Sequence, residues 1–366
     1  MGYWAIAVGV MLVSTAVACG EDTIVDDAVR GSGDSDGSAP ESPDASAEAD
    51  ASSPRDAGGP LDAASEIPAG HWDTLQSMPE LPRFYVGVAA ARGWVFVVGG
   101  TVSDTPEASA VHAYDIATDT WQRLADLPIP YPAPNVAAVE DRLFVLGGLE
   151  INQTLEYDFD NDEWIERAPL PVAKGPGAAA VAVRGDRIFV AGGVLKGLSA
   201  NLLNTGERQD GVYAYDVSSD LWLTLPPLPV AVGYSMAAVL DDELWVMGGS
   251  DTNERTDRVS AYDISGQTWS DRPVLPISLS SAAGGVLQGR IYVTGGIASS
   301  SGVISNLSFV FDAALQQWTS VAPMPTPRFA MAGAVVDDRL YVPTGIVGED
   351  PMSFVPVGTL EVFDPQ

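Results

Sequence analysis

Apolar runs closed by paired glycines recur along this chain: WVFVVGG to Gly100, LFVLGG to Gly148, IFVAGG to Gly193, LWVMGG to Gly249 and IYVTGG to Gly296. Short β-branched and aromatic runs of this kind predict strands covered on both faces. A stretch of small residues precedes each: Val86 to Ala91, Asn135 to Val139, Ala178 to Val183, Ser235 to Leu240 and Ala282 to Leu287, with a sixth at Met331 to Val336. Turn residues such as Glu140-Asp141, Gly185-Asp186 and Asp241-Asp242 join the two stretches, as a tight hairpin requires. A third strand then carries an aromatic followed by Asp, and a fourth carries a Trp seven positions after that aromatic. The pairs are Tyr114/Trp121, Tyr157/Trp164, Tyr215/Trp222, Tyr262/Trp269 and Phe311/Trp318, and a Leu-Pro or Met-Pro leads out of each unit.

A unit of about 45 to 58 residues is in the range of propeller and solenoid repeats. Four short antiparallel strands cannot bury both faces of their own sheet, whereas units set radially bury each against the next. The predicted fold is therefore all-β, a β-propeller over residues 68–366. Its two ends are complementary. Trp72, in WDTLQSMPELP, has the fourth-strand pattern ahead of any first strand, and the final unit stops at Phe363-Asp364 before a fourth strand. Six blades are expected, the last completed by an N-terminal strand near residues 70 to 79. The hydrophobic run before Gly-Gly and the Tyr/Trp spacing make the chain resemble the Kelch-repeat family over residues 68–366. The last unit departs from the pattern, with Pro343-Thr344-Gly345 for the glycine pair and Phe363 for Tyr.

Charge changes the picture of partners. Across 366 residues, 49 acids oppose 18 bases for a net charge of -31, a field that repels phosphate backbones and anionic lipid headgroups. Nucleic acid is not an expected partner. Residues 20–70 are rich in Asp, Ser, Ala, Gly and Pro, with 13 acids against Arg30 and Arg55. Low hydrophobicity with charge of one sign predicts a disordered acidic tether, placed at residues 19–67.

Residues 1–18 read as a signal peptide, from the uncharged apolar run YWAIAVGVMLVSTAVA at residues 3–18. Cys19 follows Ala16, Val17 and Ala18 and looks like the acylated cysteine of a bacterial lipobox. The alternative is an ordinary secretory signal with an incidental Cys. The expectation is an exported protein of the bacterial cell envelope, monomeric and meeting the membrane only through a lipid anchor. A single Cys allows no internal disulfide.

In Kelch proteins, loops between strands two and three open on one face, and that face and the central channel bind ligands. The longest such loop, VLKGLSANLLNTGERQDG after Gly193, offers Glu207 and Arg208, or is a tolerated surface insertion. After each Leu-Pro the chain approaches the expected channel rim, with Arg83, Tyr85, Tyr131, Lys174, Tyr234, Ser280 and Arg328. Arg pairs with carboxylates and aromatics stack on sugar rings, so these positions are candidate ligand contacts. Alternatively, Arg83 and Arg328 cap blade edges with salt bridges. With His71 and His112 the only histidines, no His-bearing metal site, cofactor or triad is expected. The leading expectation is a non-catalytic module that binds a protein or glycan. The alternative is a sugar mutarotase or epimerase similar to the periplasmic sialic acid mutarotases, drawing on Arg83, Arg328, Arg208 and Glu207.

Overall fold

A computed structural model describes residues 67–80, 82–101, 106–196, 206–251, 254–298, 302–349 and 353–366. The signal segment, Cys19 and nearly all of the acidic tether lie outside the described residues.

Five four-stranded antiparallel sheets are built in chain order. The first comprises Gly87–Ala91, Trp94–Val98, Val111–Asp115 and Thr120–Leu124. The next begin with Val136–Val139, Ala180–Arg184, Met236–Leu240 and Ala283–Leu287. A sixth sheet joins the two ends of the domain: Ala334–Val336, Arg339–Pro343 and Leu360–Asp364 are completed by His71–Leu75. In that junction Trp72 lies opposite Phe363, the register that Trp121 keeps with Tyr114. First strands of neighbouring sheets contact one another around a closed cycle, sixth to first included.

The first strands begin later than the sequence suggests. Tyr85, Ala133, Ala178, Tyr234, Ser281 and Ala330, one ahead of each sheet, have φ between 48° and 58°, which no strand residue adopts. Their amides form part of a belt around the axis: Tyr85 donates to Ala330 O, Ala178 to Ala133 O, Tyr234 to Ala178 O and Ser281 to Tyr234 O, at 2.9 to 3.2 Å.

Between blades, flat aromatic area is fixed by directed bonds. Each fourth-strand Trp donates its indole N–H to a carbonyl of the preceding blade, as in Trp164 to Ala125 O at 3.0 Å and Trp222 to Ala168 O at 2.8 Å. The glycine pair has a matching role. Gly100, Gly193, Gly249 and Gly296, with φ of 90° to 103°, turn the chain so that their amides reach Tyr131 O, Val232 O, Leu279 O and Arg328 O of the next blade. The repeated Asp after each aromatic caps the hairpin tip: Asp115 accepts from Ala117 N, Asp263 from Ser265 N and Gly266 N.

Candidate functional site

Lead-in segments and second-to-third-strand loops meet on one side of the ring. Backbone bridges join Phe84 to Thr101, Gly177 to Val194, Gly233 to Ser250 and Phe329 to Ile346, while Leu279–Ser280 pairs with Ile297–Ala298. These pairs raise a second tier, a collar, over five of the six blades. The second blade is the exception, because its strands turn directly at Leu149-Glu150 with Gly148 opposite Ile151.

At the collar's centre Tyr85 and Tyr234 face each other. They come from the first and fourth blades, opposite in a ring of six, and their ring centroids are 5.4 Å apart at 38°. Their left-handed backbone explains the meeting, since it turns each side chain off the strand path and over the channel. Arg208 stacks its guanidinium 5.1 Å from the Tyr234 ring centroid. It is held there by Ser250, whose carbonyl accepts from Nε at 2.9 Å and whose hydroxyl accepts from Nη2 at 2.7 Å. Burial holds the Arg208 guanidinium below its ordinary range, with Tyr234, Tyr85 and Asp251 opposing. Burial pushes the Tyr85 phenol up, reinforced by Tyr234, while Ser281, Arg255 and Arg208 favour its ionised form. Two tyrosines and two arginines therefore share one electrostatic neighbourhood.

Behind the tyrosines a cavity of about 140 Å3 continues into a second of about 280 Å3 along the ring axis. Small side chains such as Val88, Ala237 and Gly284 line both, and no charged side chain does among the described residues. Free edges of six first strands also present backbone polar groups there, so the bore suits water better than a charged ligand.

The structure separates the candidate contacts read from the sequence. Tyr234 is at the mouth, Arg208 is stacked on it, and neighbouring Glu207 is exposed. Lys174 is exposed and pairs with Glu150 at 3.2 Å above the second blade. Arg83, Tyr131 and Arg328 do not lie on the rim. All three sit two residues before the left-handed position and are buried. Arg83 donates to Ala110 O at 2.6 Å and lies 2.9 Å from His112 Nδ1; Tyr131 donates to Gln153 Oε1 at 3.0 Å. Arg328 donates to Thr344 O, Thr359 O, Val342 O and Glu361 Oε2 at 2.6 to 3.0 Å, and burial lowers it to about 10 despite Glu361. Of the four residues available to a ring-interconverting catalyst, Arg83 and Arg328 thus serve the scaffold. Ser250 and Arg255 escaped the sequence reading. Ser250 could have been noticed as the polar residue directly after Gly-Gly, while Arg255 has no comparable signal.

Comparison with known proteins is consistent with this architecture. The KLHDC2/KLHL20/DRC7 Kelch-repeats domain matches residues 135–345, and the Kelch motif matches residues 82–128. Kelch-like protein terF of Aspergillus terreus is 28% identical over 203 residues, covering 50% of this chain and 43% of its own. Beta-scruin of Limulus polyphemus is 26% identical over 181 residues, covering 46% of this chain and 19% of its own. The chain therefore spans less than half the length of these curated relatives. The solved structure of YjhT aligns with a TM-score of 0.64 at 17% identity, over 79% of this chain and 96% of that one, a likeness of fold.

Proposed function

The chain belongs to the Kelch-repeat family, and from that premise we propose that it is a non-catalytic binding module that receives a protein or glycan on its collar face. The observation that carries this reading is the Tyr85/Tyr234/Arg208 group at the centre of that face. Tyrosine and arginine are the side chains that most often anchor interfaces, because each offers wide flat area with a polar edge. Arg208 is held in place by Ser250 before any ligand arrives, which lowers the ordering cost of binding. A carboxylate is the favoured polar partner for its guanidinium, and the tyrosine rings offer stacking surface for a peptide side chain or a sugar ring.

The proposal includes display. An acidic tether would carry the propeller away from an acylated Cys19 in the envelope of a bacterial cell, as a monomer that meets the membrane only through its lipid. This part rests on the sequence of residues 1–67.

The test is a glycan-array screen and a pull-down from envelope fractions with the full chain, repeated with Arg208→Ala and Tyr234→Ala. Saturable binding that weakens about tenfold or more in both variants is expected if they are anchor residues. Binding that neither variant changes would place the binding face elsewhere.

A further inference from the structure

The first and sixth blades solve one packing problem in two ways. Arg83 and Arg328 occupy equivalent positions in the repeated Pro-Arg-Phe lead-in, and each reaches the residue two before the third-strand aromatic. In the sixth blade that residue is Glu361, whose carboxylate lies 2.8 Å from Arg328 Nη2. In the first blade it is His112, which is buried and titratable.

The geometry fixes the imidazole's proton. Arg83 Nη2 can only donate, so His112 Nδ1, 2.9 Å away, must accept and be bare. The ring's N–H is therefore on Nε2, which lies 3.0 Å from Glu80 Oε2. Glu80 is shared with Arg123, at 3.0 Å, and Arg123 also holds Asp126 at 2.8 Å. Arg123 lies opposite His112 in the next strand, and Val97, on the other side, is apolar. A second proton on His112 can go only to Nδ1, where it would meet an arginine that does not deprotonate. Burial, then Arg83, oppose that proton, while Glu80 favours it.

Arg83 is two residues from Tyr85. Between them Phe84 exchanges backbone bonds with Thr101 and packs with Phe329 and Ile346 in a cluster that Tyr85 also touches, so Arg83 and Tyr85 are joined through one packed residue. We propose that His112 is a proton-operated latch on the channel mouth: neutral, it holds Arg83 and so keeps Tyr85 on Tyr234; protonated, it repels Arg83 and parts the two rings. This rests on the collar mouth as the binding face, which the latch would regulate by pH.

The test uses the full chain carrying 13C-labelled tyrosine and histidine rings, titrated by NMR from pH 8 towards about pH 4, the range in which a shifted histidine changes charge. His71 and His112 are the only histidines, so assignment needs one variant. Expected are Tyr85 and Tyr234 ring shifts that move with the midpoint of His112, below the ordinary histidine value of 6.5. In His112→Gln, whose side-chain carbonyl can still accept from Arg83, the tyrosine shifts should not move. His112→Glu, which copies the Arg328–Glu361 pair, gives the same check should the Gln variant not fold. Titration of His112 without tyrosine movement, movement that persists in either variant, or a His112 that stays neutral until the protein unfolds would each overturn the latch. Because no ligand enters this titration, it can succeed where the binding screen fails, and the converse.

Discussion

Trp72 donates its indole N–H to the carbonyl of Ala322 at 2.9 Å, across 250 positions of sequence. The same bond joins the other neighbouring blades, at Trp121 to Gln76 O, Trp164 to Ala125 O, Trp222 to Ala168 O, Trp269 to Pro226 O and Trp318 to Pro273 O. The junction that closes the ring is thus built like those inside it. Alanine at Trp72 should cost about 3 kcal/mol, through lost aromatic area and an unpaired carbonyl. Urea unfolding measures this directly, and deletion of residues 68–80 should lower the melting temperature further by opening the ring. An unchanged melt would refute the clasp.

Three blades add a hydroxyl to the clamp. Tyr114, Tyr157 and Tyr215 donate to Asp119, Asp162 and Asp220, and the same carboxylates accept from the preceding blade at Gln76 N, Ala125 N and Ala168 N. In the fourth blade Gln267 stands where those aspartates are, and the buried Tyr262 hydroxyl has no hydrogen-bond partner among the described residues. Gln267→Asp should therefore stabilise the protein by about 1 kcal/mol, the net worth of one hydrogen bond. Combination with Tyr262→Phe should abolish that gain, which a double-mutant cycle would read.

Glu156 is held between Arg142, which donates from Nε at 2.6 Å and from Nη2 at 2.9 Å, and Arg167, which donates from Nε at 2.7 Å. Burial pushes its carboxyl up, but these two arginines win and hold it below the ordinary value of 4.5. A depressed folded-state pKa contributes stability above the unfolded value and loses it as pH falls through the folded one. Glu156→Gln should cost about 3 kcal/mol at neutral pH, because two guanidinium groups are left facing each other. Below pH 4.5 the two proteins should converge in denaturant midpoint. A difference that persists there would mean that side-chain shape rather than charge sets the cost.

Arg328 crosses the last blade where the glycine pair is broken. Thr344, β-branched and buried, has φ 59°, and its carbonyl accepts from Arg328 Nη1 at 2.9 Å. Arg328→Ala should destabilise by about 4 kcal/mol, since it strands Glu361 in the interior. Arg328→Met combined with Glu361→Leu should cost less than either change alone. Thr344→Gly should add about 1 kcal/mol by relieving backbone strain. Calorimetry on these variants tests all three directions, and ligand binding at the collar should follow only their stability.

Repetition made the scaffold legible. Strands alternate and close by local rules, so Gly-Gly, the Tyr/Trp interval and the unpaired Trp72 were enough to expect four-stranded units and an N-terminal strand beside Phe363. Which side chains reach the mouth was a different kind of question. Arg83 and Tyr85 are two residues apart, yet one is buried against the first blade and the other lines the channel mouth, because a left-handed residue at the strand's start redirects the chain. The sequence pattern shows no dihedral angle. Nor could it pair Tyr85 with Tyr234: their encounter depends on the first and fourth blades lying opposite in a closed ring, and nothing local to either residue encodes that. The sequence by itself determined the repeat, its strand order and its acidic charge, through hydrophobic period and turn chemistry. Tertiary structure alone decided which side chains meet at the channel mouth, because a ring brings together residues about 150 positions apart whose identities follow no common motif.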